Sequence, residues 1–299
     1  MKRTQLTADA ALLFATMIWG LTFVMVQDAV LAYPVFAFLA IRFLFAALAL
    51  APFLARQPRN PAVLLAAHNP ARRRQIEAWL PGGVIGVALF AGYAFQTFGL
   101  LYTTPAKAGF ITGLSVVLVP IGQALFLRRV PTNATLIGVA LATVGLALLS
   151  LQGDLTISRG DLLVLLCAIA FAAQILLIGR YAPRWQPVRL TMIQIVTVAV
   201  LSTVASLLWE DRPGWPAGNV WFAAAFTGVL ATSLAFYIQS RAQRATSATH
   251  TALIFAAEPV FAGLFSFLLI GERLGPRQIL GSALILAGML VAELRWKRA

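Results

Sequence analysis

Two ionisable side chains stand where ionisable side chains are costly. Arg42 and Glu258 are the ones that fall well inside long apolar stretches of the chain. In hydrocarbon such groups normally face a cavity, pair with one another or bond to backbone carbonyls. A guanidinium there can anchor a carboxylate through paired N–H donors, and a carboxyl group can take a proton or hold an ammonium group. Measured from the same end of the bundle, Arg42 lies 8 residues deep and Glu258 12 residues deep. At 1.5 Å per helical residue these are roughly 12 and 18 Å, a difference an arginine side chain spans. An Arg42–Glu258 ion pair is therefore one reading, and Arg42 bonded to carbonyls is another. The functional readings are a substrate-carboxylate anchor at Arg42 and a protonatable coupling site at Glu258. Glu258 also precedes Pro259, whose missing N–H frees a carbonyl one turn earlier. The carboxyl group then has a further reading as a polar plug at a kink.

Lys107 and His250 form a second set, each close to the start of an apolar stretch. They read as gate or entry residues, against snorkelling for the lysine and an interfacial place for the histidine. An uncharged set follows: Gln96, Thr97, Thr112, Ser115, Gln123, Gln174, Gln194 and Gln239, with Tyr93, Tyr102 and Tyr237. Such groups line substrate paths, and they also hold membrane helices together by hydrogen bonds.

The elements that must position these residues follow from composition. Of 299 residues 60% are hydrophobic and 11% are charged, against roughly 25% charged in an average soluble domain. A soluble globule of that make-up lacks the polar surface to coat itself. The net charge of +13 would suit a nucleic-acid partner only on a solvated face, and little of this chain is solvated. About 20 apolar residues cross the hydrocarbon as a helix. That window yields ten spans: 9–27, 34–55, 80–102, 105–127, 132–151, 160–179, 188–209, 218–239, 248–270 and 276–294. The breaks carry Pro, Gly or charge, as at Tyr33-Pro34, Thr104-Pro105, Gly153-Asp154 and Gly275-Pro276. No period of two runs through them, which excludes a barrel. The expected fold is an all-α integral membrane bundle. Its first hydrophobic stretch, after Met1-Lys2-Arg3, has no small-residue cleavage site and reads as a retained helix. The single Cys167 allows no internal disulfide.

Lys and Arg then set the orientation. Seventeen fall on the side of the two termini, including Arg56, Arg59, Arg72, Arg73, Arg74, Arg128, Arg129, Arg180, Arg184, Arg189, Arg241 and Arg244. Five (Lys107, Arg159, Arg212, Arg273 and Arg277) fall on the other, and Arg42 lies between. The positive-inside rule places both termini in the cytoplasm. Six of the seven tryptophans lie at or near span ends, as an aromatic belt requires. Trp19 is the exception, near the middle of the first span, and reads as a cavity wall or as packing between helices.

The chain also repeats itself. Divided into 1–152 and 153–299, its halves share punctuation in order: Asp9-Ala10-Ala11-Leu12-Leu13 with Gly160-Asp161-Leu162-Leu163-Val164, Pro34-Val35 with Pro187-Val188, Gly86-Val87 with Gly228-Val229. Thr104-Pro105-Ala106 corresponds to Thr246-Ser247-Ala248, Pro120 to Pro259, and Gly138 and Gly145 to Gly281 and Gly288. Five spans per half is an odd number, so the second half enters the membrane inverted. Inverted repeats are a common build of secondary transporters, with the substrate site near the midplane between them.

Ile18-Trp19-Gly20-Leu21-Thr22-Phe23-Val24, Arg42, Thr246-Ser247-Ala248, Glu258-Pro259-Val260 and Gly271-Glu272 resemble the signature positions of the EamA-type drug/metabolite transporters. The resemblance covers nearly the whole chain as two EamA units. It implies a ten-helix inverted 5+5 fold and export of small metabolites, with amino-acid exporters prominent in that family. It also implies a central cavity lined by spans one, three, four, six, eight and nine. One position departs: the first half has Arg128-Arg129 where Gly-Glu-Arg follows span nine, so Glu272 has no symmetric partner. With that cavity, the candidate substrate residues are Trp19, Arg42, Tyr93, Gln96, Ser115, Tyr237, Gln239 and Glu258. Lys107, Pro120, His250 and Pro259 are the gate and kink candidates, since proline kinks suit helices that bend during gating.

No phosphate-binding loop, His-Glu-x-x-His pattern, mid-membrane Asp pair or Gly-x-Ser-x-Gly stands in the sequence, so no ATP motor and no familiar protease or hydrolase site is expected. A membrane-embedded transferase is the rival of another class; a channel lacks a visible filter. The reading is a secondary transporter of the bacterial cytoplasmic membrane that exports amino acids or similar metabolites by alternating access. It needs no cofactor or metal and has a small-molecule substrate and the bilayer as partners. A mostly apolar cavity favours substrates with hydrophobic side chains.

Overall fold

In a computed structural model the chain is described over residues 2–56, 79–128, 130–150, 157–211, 214–270 and 275–296. The basic positions Arg59, Arg72, Arg73, Arg74 and Arg129, the junction at 152–153 and the Gly271-Glu272 pair lie outside them.

Every regular element among the described residues is a helix. In order they are α1 (Lys2–Gly20), α2 (Phe23–Ala32), α3 (Val35–Ala55), α4 (Trp79–Gly99), α5 (Pro105–Gly113), α6 (Ser115–Leu127) and α7 (Asn133–Ser150). Then come α8 (Arg159–Tyr181), a 3-10 turn (Ala182–Arg184), α9 (Pro187–Trp209), α10 (Gly218–Phe226), a π-helical stretch (Thr227–Leu234) and α11 (Ala235–Ala242). The chain closes with α12 (Ala248–Phe255), α13 (Glu258–Ile270) and α14 (Pro276–Trp296). Among the described residues eight helical stretches are long and apolar enough to cross a membrane, and Asn133–Leu148 and Pro276–Ala292 are shorter apolar helices. The first stretch differs from its expected bounds of 9–27. It begins at Gln5 and ends at Ala32, because Pro34 is the first residue that cannot continue it.

Local chemistry starts the helices where hydrogen bonds are available. Ser158 and Asp161 form a reciprocal capping box at α8. The Thr104 and Ser247 hydroxyls accept from the amides of Lys107 and His250 and cap α5 and α12. Glu210, at the end of α9, accepts from the amides of Phe36 and Ala37 at 2.7 and 2.9 Å, so its carboxylate caps the positive end of α3.

Four spans are interrupted near their middles. α1 gives way to α2 through Leu21-Thr22, with Leu21 N bonded to Ile18 O and Thr22 N to Trp19 O. α5 breaks from α6 at Leu114, α12 from α13 at Ala256-Ala257, and α10 from α11 through the π-helical stretch. The break in the fourth span falls at Gly113-Leu114, six residues before Pro120, which sits inside α6. Pro259 does mark its break, as the second residue of α13, where a missing N–H costs nothing.

The largest apolar cluster joins α2, α3, α4 and α9 through Phe38, Leu39, Phe43, Leu89, Tyr93, Ile195 and Val198. Leu31, Leu44, Leu48, Phe53, Phe126, Leu207 and Leu208 point outward and exposed, a surface that only lipid would cover.

Candidate functional site

The interrupted spans enclose one central cavity with α4 and α8. Of the eight substrate candidates, seven line it: Trp19, Arg42, Tyr93, Gln96, Ser115, Gln239 and Glu258. Most of the remaining wall is apolar, with Phe23, Val26, Leu100, Phe171, Ile175, Phe236 and Phe255. Mostly apolar walls with a few placed polar groups are the usual build of a small-molecule site.

Arg42 is buried, with 3% of its surface exposed. Its Nε donates to Thr232 Oγ1 at 3.0 Å and its NH2 to the Tyr93 hydroxyl at 3.1 Å. The guanidinium also lies 4.6 Å from the centre of the Tyr93 ring, within cation–π range. All these partners are neutral, so the positive charge is held in place without being cancelled. The π-helical stretch places Thr232: its hydroxyl donates to Thr227 O, five residues back, at 2.9 Å. A π-turn of this kind widens a helix and turns polar groups out of register.

Glu258 stands at the first position of α13. Its carboxyl group makes no hydrogen bond and no ion pair among the described residues. The Arg42–Glu258 bridge, open in the sequence, is therefore not formed. Cation and carboxyl occupy the same cavity separately. Gly20 lets the broken end of α1 approach the start of α13: a Cβ there would sit 2.9 Å from Ala262 N and 3.0 Å from Glu258 O, closer than any side chain tolerates.

Trp19 is a wall and a strut at once. Its Nε1 donates to Ala231 O at 2.6 Å, and its ring meets Phe255 edge-on at 4.7 Å and Phe236 at 5.7 Å. Phe171 and Phe236 meet the Tyr93 ring edge-on. Gln96 donates to Thr112 Oγ1 at 3.2 Å. Below the aromatic ring wall, Gln174 and Gln239 exchange amide hydrogen bonds at 3.3 and 3.1 Å, and Gln243 and Gln194 extend that network.

Tyr237 is the candidate the structure sets aside. It is absent from the cavity wall, and its hydroxyl accepts from Arg241 at 3.3 Å. Phe236 and Gln239, on the other face of the regular α11, face inward instead. Sequence reasoning missed Phe171, Phe236 and Phe255, since a Phe inside a membrane helix carries no mark separating wall from lipid face. Thr112 and Gln174 were within the polar set without being favoured, and both line the cavity.

The gate candidates lie at the span starts. Lys107 Nζ is 3.9 Å from Asp161 Oδ2, and His250 Nε2 is 3.2 Å from Asp9 Oδ1. Thr249 donates to Gln123 beside the second pair. No group of three or more metal-ligating side chains occurs among the described residues.

Apolar helices broken around a small cavity that holds a cation and, among the described residues, an unpaired carboxyl are the architecture of a multi-pass membrane transporter. The chain matches the EamA-like transporter family over residues 6–151 and again over 158–293, and it belongs to that family. An uncharacterized transporter of Archaeoglobus fulgidus is 34% identical to it over 293 residues, covering 97% of this chain and 87% of the relative. The uncharacterized transporter YyaM of Bacillus subtilis is 28% identical over 231 residues, 74% of each chain. A solved crystal structure with a TM-score of 0.78 covers 98% of both chains at 23% identity, a likeness of fold.

Proposed function

We propose that the protein is a secondary transporter that exports amino acids or related small metabolites across the bacterial cytoplasmic membrane by alternating access. The observation that carries the substrate class is the separation of Arg42 from Glu258 in one cavity. A zwitterion has a place for each end. Its carboxylate meets the uncancelled guanidinium, and its ammonium group meets a carboxyl that has no partner among the described residues. The side chain then rests on Trp19, Phe171, Phe236 and Phe255, which favours apolar side chains.

Ten spans in two inverted five-helix repeats, 1–152 and 153–299, are part of the same proposal, with both termini in the cytoplasm. Three observations support the inversion. The family matches the chain twice, once within each half. The interruption in the fourth span at Leu114 has a counterpart in the ninth at Ala256-Ala257. Glycine contacts between α7 and α14 are reciprocal: a Cβ on Gly138 would meet Gly288 O at 2.6 Å, and one on Gly145 would meet Gly281 O at 2.5 Å. Exchanging Gly138 with Gly281 and Gly145 with Gly288, as the repeat requires, turns each contact into the other.

The test is flux of a labelled amino-acid panel in proteoliposomes, with and without a proton gradient. Uptake of apolar amino acids, lost in Arg42→Gln and Glu258→Gln, is the expected result. If no amino acid moves in either condition, the substrate class is wrong. A gradient-dependent rate that disappears in Glu258→Gln assigns coupling to that carboxyl.

A further inference from the structure

We propose that Lys107–Asp161 and His250–Asp9 are two equivalent latches at opposite ends of the cavity, both engaged in this structure, and that opening either mouth releases the latch at that end. The inference rests on the alternating-access reading above.

The two pairs are built alike. In each, a Ser or Thr hydroxyl caps a short helix by accepting from the amide of its third residue, and that residue is basic: Thr104 with Lys107 in α5, Ser247 with His250 in α12. In each, the partner is an aspartate near the start of another span, Asp161 in α8 and Asp9 in α1. Each bond also joins one half of the chain to the other. A cation in the first turn of a helix stands against the helix dipole, so a nearby anion is what stabilises it there. Lys107 and His250 each have one.

They sit at opposite ends. Gln27, near the end of α2, donates to the carbonyls of Leu100 and Thr103 at 3.0 and 3.2 Å. The Thr103 hydroxyl in turn donates to Asp161. Asp9 lies 18 residues before Gln27 on the same broken span, roughly 27 Å away along a helix. The cavity, with Trp19 and Thr22 in its wall, falls between.

The pairs differ in burial. The Lys107 side chain is 24% exposed and that of His250 is 8%. Water therefore screens the Lys107 latch more than the His250 latch.

The test reads access, without any substrate. A single cysteine is placed in the cavity wall as Ser115→Cys with Cys167→Ala. Its reaction with a membrane-impermeant maleimide is timed in right-side-out and inside-out vesicles. Lys107→Gln is expected to speed labelling from the Lys107 side roughly two- to fivefold, the scale of a partly exposed ion pair. His250→Gln is expected to speed labelling from the opposite side. Each slows labelling from the far side, because one mouth opens at the expense of the other. Lys107→Arg, which keeps the cation, labels like the parent, and all variants are checked for monodisperse elution. If the parent labels from both sides and neither Gln variant changes either rate, or both rates rise together, the latches are overturned while alternating access stands. If every variant labels from one side alone, alternating access fails and the latches with it.

Discussion

The indole nitrogen of Trp19 donates to the carbonyl oxygen of Ala231 at 2.6 Å, tying the broken end of α1 to the π-helical stretch between α10 and α11. The bond uses an acceptor in a helix where register has slipped, and that same slip places Thr232 under Arg42. Trp19→Phe removes the bond and keeps a ring against Phe255. The expected cost is about 1 kcal/mol, the net worth of one hydrogen bond. Trp19→Ala also removes the wall and should cost about 3 kcal/mol or more. Denaturant unfolding in detergent, followed by fluorescence of the remaining tryptophans, separates the two.

Arg42→Met tests whether the guanidinium is scaffold or site. Replacing a buried charge by an apolar side chain of similar volume is often neutral for stability. The variant should fold, with an unfolding midpoint near that of the parent. Carboxylate-bearing ligands should bind weaker by about 2 kcal/mol or more, the cost of truncating one side of a buried charge contact. Isothermal titration with the amino acids that move in the flux assay reads this; equal affinity in both proteins would leave Arg42 structural.

Much of this arrangement is legible in the sequence, and the reason is energetic. Arg42 and Glu258 stand out because charge in hydrocarbon is tolerated only with a purpose, and both line the cavity. Lys107 and His250 stand out as ionisable groups at span starts, and each has an aspartate carboxylate within 4 Å. What escapes sequence reading is helical phase. Tyr237 reads as a wall residue because its span should line the cavity, and it is Phe236 and Gln239, on another face of the same helix, that do so. Pro120 reads as the kink of the fourth span, yet the helix parts at Leu114.

Tyr93→Phe should reveal coupling to Arg42. The Tyr93 hydroxyl accepts from the guanidinium at 3.1 Å, and bonds to charged groups are worth about 1.5–3 kcal/mol. The single variant should lose stability on that scale. In an Arg42→Met background the same change should cost little, because the hydroxyl no longer has a charged donor. A double-mutant cycle on unfolding free energies checks it; additive losses would mean that the bond carries no energy.

Glu258→Gln should part stability from function in the opposite sense to most site substitutions. An ionised carboxyl without a partner is costly to bury, and Glu258 has none among the described residues. The neutral amide removes that cost, so the unfolding midpoint should hold or rise while binding of ammonium-bearing ligands falls. A lower midpoint with unchanged binding would assign Glu258 to the helix break alone.

Gly145→Ala tests the α7–α14 seam, remote from the cavity. A Cβ at Gly145 would lie 2.5 Å from Gly281 O and 2.9 Å from Ile285 N. Both are backbone atoms, so relief requires the two helices to separate. Overpacking of this kind costs about 1–3 kcal/mol, and small residues at such crossings are what allow the close approach. Gly83→Ala, where a Cβ meets nothing within 4 Å, is the matched control and should be neutral. Thermal unfolding of the purified variants gives the comparison, with Gly145→Ala melting below the parent and Gly83→Ala with it. Because neither glycine touches the cavity, ligand affinity in the folded fraction should be unchanged in both. A Gly145→Ala protein that melts with its control would mean that α7 and α14 are not pressed backbone to backbone, and the reciprocal contact that supports the inverted repeat would lose its physical basis.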